Sequence, residues 1–289
     1  MTATTSLSVA QALAGAQRAG LSRIDAQLLL GHVLGQARSW LIAHDDRLLE
    51  AAQRDHWQAL LARRLDGEPL AYLTGQQSFH GLALHVSAAV LDPRADTETL
   101  VDWALERLTP SGGDAAPRAP SLAPRPRVLD LGTGSGAIAL AIAHRCAPVD
   151  VTAVDRSADA LAVAAGNGRQ LGLAVDWRHG SWFEPVAGAR FDLIVSNPPY
   201  IAEGDPHLSA LRHEPRQALV AGLDGLDDLR TLVAQAPTHL NPGGWLLLEH
   251  GHDQAGAVQA LLRAAGFDPV DQRLDLAGHV RCSGGCWPS

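Results

Sequence analysis

From Val128 onward the sequence alternates short β-forming runs with helical ones: "RVLDLG", "GAIALAIAHRC", "DVTAVD", "SADALAVAAGNGRQLG", "VDWRHG", "FDLIVS", "LDDLRTLVAQAPTHL", "GGWLLLEHG" and "QAGAVQALLRAAG". Units in that order build a mostly parallel sheet with helices on both faces, an α/β architecture. The last stretch, "FDPVDQRLDLAGHVRCSGG", is expected to add the final strands as an antiparallel edge.

Upstream the texture differs. Ser8 and Gln11 form a capping-box pair ahead of "VAQALAGAQRAG", with Gly20 as its stop. Ser22 caps "RIDAQLLLGHVLG", where Ile24, Leu28, Leu29 and Val33 recur at helical spacing before Gly35. A third run, "LLEAAQRDHWQALLARRLDG", sets Leu60, Leu61 and Leu65 on one side and mixed charges on the other. The prediction is a small all-α bundle over residues 1–74. Glycine breaks and alternating apolar residues then predict a linker with a hairpin over 75–93. Residues 94–289 form the expected α/β domain, interrupted after "DTETLVDWALERL" by "TPSGGDAAPRAPSLAPRPR", whose composition predicts a surface loop.

Charge narrows the partners. Against 31 Asp and Glu stand 23 Lys and Arg, a net charge of -8 in 289 residues, the wrong sign for a protein that lives on phosphate backbones. "MTATTSLSVA" lacks the basic region and apolar block of a secretory signal, and the longest apolar runs, such as "AIALAIA", fall short of the roughly 20 residues of a membrane span. The expectation is a cytoplasmic monomer that stably holds neither nucleic acid nor membrane. Cys146, Cys282 and Cys286 are an odd count and read as reduced thiols, and no second pair or histidine completes a metal set around Cys282 and Cys286.

In "VLDLGTGSGAIAL", Gly132, Gly134 and Gly136 occupy a strand-to-helix turn, where missing side chains let backbone N–H groups approach a ligand. Spacing alone is common to many nucleotide binders. Asp130 beside the turn would repel a pyrophosphate but attract the ammonium and sulfonium of S-adenosylmethionine. Asp155 ends the next strand, the position of a carboxylate that binds ribose hydroxyls. After the third strand, Trp182 is expected to stack on an adenine ring, and Phe183 to fill core.

The stretch Asn197-Pro198-Pro199-Tyr200 follows the buried strand "FDLIVS". Two prolines stiffen the turn and leave its carbonyls free. The Asn197 side-chain oxygen and the Pro198 carbonyl can together accept both hydrogens of one planar NH2 group. Such a group is a poor nucleophile, because its lone pair is delocalised. Holding it while the nitrogen pyramidalises favours attack on a methyl. Tyr200 is expected to offer a flat apolar face to the same group.

With these motifs in place, the sequence resembles the HemK/PrmC family, the protein-(glutamine-N(5)) methyltransferases that modify class-one peptide chain release factors. The likeness covers almost the whole chain, through "EPLAYLTG", "FHGLALHVSAAVLDPRADTE", "VLDLGTGSGAIALAIA", "AVDRSADAL", "FDLIVSNPPYI", "HEPRQAL", "GGWLLLEHG" and "DLAGHVR". It implies a Rossmann-like class I S-adenosylmethionine-dependent methyltransferase domain, and a helical domain that helps grip the release factor. It further implies that Gly132, Thr133, Gly134, Ser135, Gly136, Asp155, Trp182 and Asn197 line the cofactor pocket. Asn197, Pro198, Pro199 and Tyr200 would receive the glutamine of a Gly-Gly-Gln motif. Two positions depart from the family pattern: Ala95 stands where proline is usual, and Ser181 where an aspartate often precedes the Trp-Phe pair. The same clamp would serve a ribosomal-protein glutamine methyltransferase or an adenine-N6 methyltransferase of nucleic acid.

Overall fold

The computed structural model describes residues 6–109 and 125–288, which fall in two compact units that meet in the sequence at Gln76 and Gln77. Most of the proline-rich stretch expected as a loop, residues 110–124, lies outside the described residues. Among the described residues no helix is long and apolar enough to cross a membrane.

Among its described residues the first unit holds five helices: α1 (Val9–Arg18), α2 (Arg23–Leu34), α3 (Arg38–Ala43), α4 (Ala51–Leu65) and α5 (Leu70–Thr74). Their ends follow the local chemistry. Ser8 and Gln11 close a reciprocal capping box, Ser22 Oγ accepts from the Asp25 N–H, and Gly35 ends α2 at φ 64°. Val9, Ala16, Leu29, Leu30, Leu41 and Trp57 make the core. The expected buried stripe of α2 is corrected here: Ile24 and Leu28 are 56% and 41% exposed, while Ala26, Gln27, Leu29 and Leu30 point inward. Apolar residues surround this helix, so periodicity cannot choose a face. Gln27 tolerates burial because its Oε1 accepts from Arg38 Nη2 at 2.9 Å. Helices α3 and α5 are too short to display a period, and the sequence reading missed both.

The second unit opens with a hairpin of β1 (Gln76–Phe79) and β2 (Leu82–His85), followed by α6 (Glu98–Leu108). The alternation then runs β3 (Arg127–Leu131), α7 (Ala137–Arg145), β4 (Asp150–Asp155), α8 (Ala158–Leu171), β5 (Asp176–His179), β6 (Phe191–Ser196), α9 (Asp227–His239), β7 (Leu240–Glu249), α10 (Ala255–Ala264), β8 (Val270–Leu274) and β9 (Val280–Cys286). Seven of these strands form one sheet, ordered β5-β4-β3-β6-β7-β9-β8. Its first five strands are parallel, and β9 joins both β7 and β8 antiparallel.

Side-chain alternation sends each strand's residues into two separate cores. Val128, Leu193, Val195 and Leu247 pack with α6 and α7 on one face, whereas Leu129, Leu131, Ile194 and Leu246 pack with α9 and α10 on the other. The hairpin belongs to the first of these cores through Phe79, Leu82 and Leu84, so the linker expected over 75–93 is structural wall. Cys282 and Cys286 lie four residues apart on β9, about 13 Å along a strand, too far to ligate one ion. Among the described residues no group of three or more His, Cys, Asp or Glu side chains could hold a metal ion.

The β7–β9 ladder leaves no room at Gly284. A β-carbon there would lie 2.6 Å from Leu247 Cδ2, 2.7 Å from the Leu246 carbonyl and 2.8 Å from Trp103 Cη2. Gly284→Ala is expected to cost about 1–3 kcal/mol by overpacking, read as a lower urea midpoint by far-UV circular dichroism. An unchanged midpoint would show that the ladder shifts freely.

Candidate active site

Strand order reverses between β3 and β6, and their carboxyl ends therefore part to open a crevice. A cleft lies there, at the position where open α/β sheets bind small molecules. Its walls include Gly132 and Gly134 from the turn after β3, Asp155 at the end of β4, Trp182 after β5, and Asn197 and Pro199 after β6.

Gly132, Gly134 and Gly136 have φ of 72°, 56° and 83°, left-handed values that favour glycine. A β-carbon on Gly134 would meet nothing within 4 Å, so the backbone is bare on that side. On Gly136 it would press on Trp177, Leu140 and Ala164, which is why α7 can pack closely where it starts.

Asp155 is the polar anchor of the cleft. Its Oδ2 accepts from the Gly134 N–H at 2.8 Å and its Oδ1 from the Ser157 N–H at 2.8 Å. A carboxylate has about four acceptor positions, so lone pairs remain for ligand hydroxyls. Trp182 holds φ 46°, unusual for a bulky residue, and its ring edge lies 3.4 Å from where a Gly132 β-carbon would sit. A bare glycine backbone, a half-satisfied carboxylate and an indole on one wall fit the adenosine part of S-adenosylmethionine.

Four expected cofactor residues stand behind this wall. Asp130 is 0% exposed; its Oδ2 accepts from Thr133 Oγ1 at 2.6 Å and from the Ala139 N–H at 3.2 Å. The expectation that it faces a cation directly is thus corrected: it ties the glycine turn to the first turn of α7. Its other oxygen has no hydrogen-bond partner among the described residues, and burial pushes its pKa up to about 7. Thr133 and Ser135 are buried and, like Gly136, shape the turn. The Ser135 carbonyl accepts from Asn167 Nδ2 at 2.9 Å.

Asn167 escaped the sequence reading, since an asparagine inside a helix carries no motif. It is buried on α8, and besides Ser135 it pairs with both the N–H and the carbonyl of His85, at 2.8 and 3.0 Å. These bonds pin the end of β2 to the glycine turn, and the chain beyond β2 supplies Ala89, Val90 and Leu91 to the cleft wall. A second buried acid, Glu214, accepts from the Asp92 N–H at 3.3 Å and pairs with Arg94.

Around the Asn-Pro-Pro-Tyr turn the geometry is more specific than the motif. Asn197 Nδ2 donates to Thr97 Oγ1 at 3.1 Å, which leaves the side-chain oxygen as the open end of the amide. Neither that oxygen nor the Pro198 carbonyl accepts a hydrogen bond formed among the described residues. Pro198 and Tyr200 stand off the cleft wall. Tyr200, half-buried, packs against the core, its Oη reaches Glu249 Oε1 at 3.4 Å, and burial raises its pKa. Thr97 and Glu249, both buried, are further residues that motif reading missed.

Two outcomes follow. Asp155→Ala is expected to weaken S-adenosylmethionine binding about 10- to 100-fold by calorimetry, the range for losing hydrogen bonds to a charged group; unchanged affinity would remove Asp155 from the site. Asp130 ordinarily titrates near 3.8, so between that value and about 7 the folded state holds an extra proton and its stability falls as pH rises. The stability of the wild type relative to Asp130→Asn should therefore decline from pH 4 to pH 8 in urea melts. A difference flat across that range would mean an Asp130 that stays ionised.

Residues 8–75 match the PrmC N-terminal domain family, and residues 119–264 match the methyltransferase small domain family. The chain is 50% identical over 280 residues to the release factor glutamine methyltransferase of Xylella fastidiosa (strain Temecula1), covering 96% of this chain and 98% of that one. It is 51% identical over 269 residues to the release factor glutamine methyltransferase of Bordetella pertussis, covering 92% and 95%. Its fold is also similar to that of a methyltransferase from Pyrococcus furiosus, at 20% identity and a TM-score of 0.51, over 79% of this chain and 98% of the other. Identity of about one half, sustained over nearly the full length, means that this chain belongs to the release factor glutamine methyltransferase family.

Proposed function

We propose that the protein methylates the side-chain amide nitrogen of the glutamine in the Gly-Gly-Gln motif of class-one peptide chain release factors, and so modulates translation termination. The observation that carries this reading is the Asn197 amide, whose nitrogen is committed to Thr97 while its oxygen stays open beside the unengaged Pro198 carbonyl. Two neighbouring acceptors without partners among the described residues suit the two hydrogens of an NH2 group. The names of the half-identical relatives supply the protein that presents it.

When bound, S-adenosylmethionine supplies a methyl group made electrophilic by a positively charged sulfur. The glycine turn would admit the ligand close to the backbone, Asp155 would take the ribose hydroxyls, and Trp182 would cover the adenine. Asn197 Oδ1 and the Pro198 carbonyl hold both amide hydrogens of the acceptor, so its nitrogen can pyramidalise and direct its lone pair at the methyl. Orientation of this kind is worth up to roughly 7 to 11 kcal/mol. After transfer the amide nitrogen is strongly acidic, so water could take its proton and no side chain is assigned as general base. Residues 94–289 carry this chemistry, and residues 1–74 help grip the release factor.

The test is transfer of labelled methyl to a purified release factor, beside a Gly-Gly-Gln→Gly-Gly-Ala substrate and an Asn197→Ala enzyme. Label is expected only with both glutamine and Asn197 intact, with kcat for Asn197→Ala lower by about 100-fold or more. Label on the alanine substrate, or full activity without Asn197, would overturn the assignment.

A further inference from the structure

Two walls of the cleft stand outside the seven-stranded sheet. Ala89, Val90 and Leu91 come from the irregular chain between β2 and α6, and Pro215, Gln217 and Ala218 from the long connection between β6 and α9. Neither wall is a rung of a ladder, so contacts beyond the sheet must space them.

Glu214 makes such a contact with both of its oxygens. Oε1 accepts from Arg94 Nη2, 120 residues away, and Oε2 from the Asp92 N–H at 3.3 Å. Arg94 Nη1 lies 3.5 Å from Asp92 Oδ2, so one guanidinium forks over two acids. The Glu214 side chain is only 3% exposed, which leaves water little room to replace these partners. Asp92 directly follows Leu91 and Glu214 directly precedes Pro215, so the clasp closes at the edge of both walls. Deeper in the cleft, Arg156 Nη2 donates to the Gln217 carbonyl at 2.8 Å. The second wall is thereby held at two points.

The residue type suits this task. Two donors converge on Glu214, one on each oxygen, and only a carboxylate accepts at both ends. A glutamine would turn its NH2 towards one of the donors. An apolar residue would pack at least as well, yet it would leave the two connections without a directional tie.

We propose that Glu214 is a positioning residue for the cofactor, clasping the wall at 89–91 to the wall at 215–218 so that the cleft closes on S-adenosylmethionine. The clasp rests on the cofactor occupying this cleft, and it is independent of which glutamine receives the methyl.

The experiment measures S-adenosylmethionine affinity of the full chain by calorimetry, well below the melting temperature of each variant, with thermal melts alongside. Glu214→Gln is expected to weaken binding about 10-fold or more, the scale of one lost hydrogen bond to a charged group. Arg94→Ala should weaken it by a similar factor, and the double variant little further than either single one, because both remove the same tie. An ion pair that only stabilised the fold would show its coupling in the melts and none in cofactor affinity. Wild-type affinity in Glu214→Gln, or losses that multiply in the double variant, would overturn the proposal. If Glu214→Gln or Arg94→Ala does not fold, Arg94→Lys decides: its ammonium cannot fork over both acids, so binding should still weaken, and wild-type affinity would defeat the clasp. Asp155→Ala is run beside them. Should it bind with wild-type affinity, the cofactor lies elsewhere and the clasp falls together with the cleft; should it alone weaken binding, only the clasp falls.

Discussion

The pairing of β3 with β6 is the contact on which the site depends. Strands β3, β4 and β5 step outward in one direction and β6 and β7 in the other, so the helices that follow β3 and β6 leave on opposite faces. Their carboxyl ends part at that seam, and the glycine turn and the Asn-Pro-Pro-Tyr turn face each other across it. In-register pairing of Leu131 with Ser196 sets both turns at one level, and Ser196 Oγ donates to the Leu131 carbonyl at 2.6 Å to fasten the two strand ends. Apolar burial on both faces of these strands, roughly 25 cal/mol per Å2, is what holds the seam rigid.

Around that seam the fold buries polar groups that an apolar core would exclude. Asp130 joins the glycine turn to α7, Asn167 joins it to the hairpin, and Glu214 ties Arg94 to the backbone of Asp92. Each satisfied hydrogen bond adds only about 1 kcal/mol net, whereas leaving one such group unpaired costs about 1–3 kcal/mol. The asymmetry makes these residues selective for one arrangement of the loops. A cleft assembled from six separate turns and strand ends needs that selectivity more than it needs stability.

Exposure differs sharply between residues that share a motif. Gly132 and Gly134 reach the cleft, while Thr133 and Ser135 are buried and do not line it. Asn197 and Pro199 likewise line the cleft, whereas Tyr200 packs against the core. Motif membership therefore marks a neighbourhood, and backbone geometry sorts its members into those that line the cleft and those that stand behind it.

Much of this was readable from the chain alone. Apolar runs, capping residues and glycines encode local structure through periods and dihedral preferences, so the α/β order, the caps at Ser8 and Ser22, and the chemical character of Gly132 to Gly136, Asp155 and Asn197 could be read in one dimension. What could not be read were relations between distant residues: Thr97 against Asn197, Glu249 against Tyr200, Asn167 against His85. The buried face of α2 belongs with these, since its apolar residues lie all round and only its neighbours select a side. The sequence by itself determined which turns build the cleft, because turn geometry and residue type are local. Only the tertiary structure decided which side chains face the cleft and which support them, because burial and hydrogen-bond direction depend on partners a hundred residues or more away.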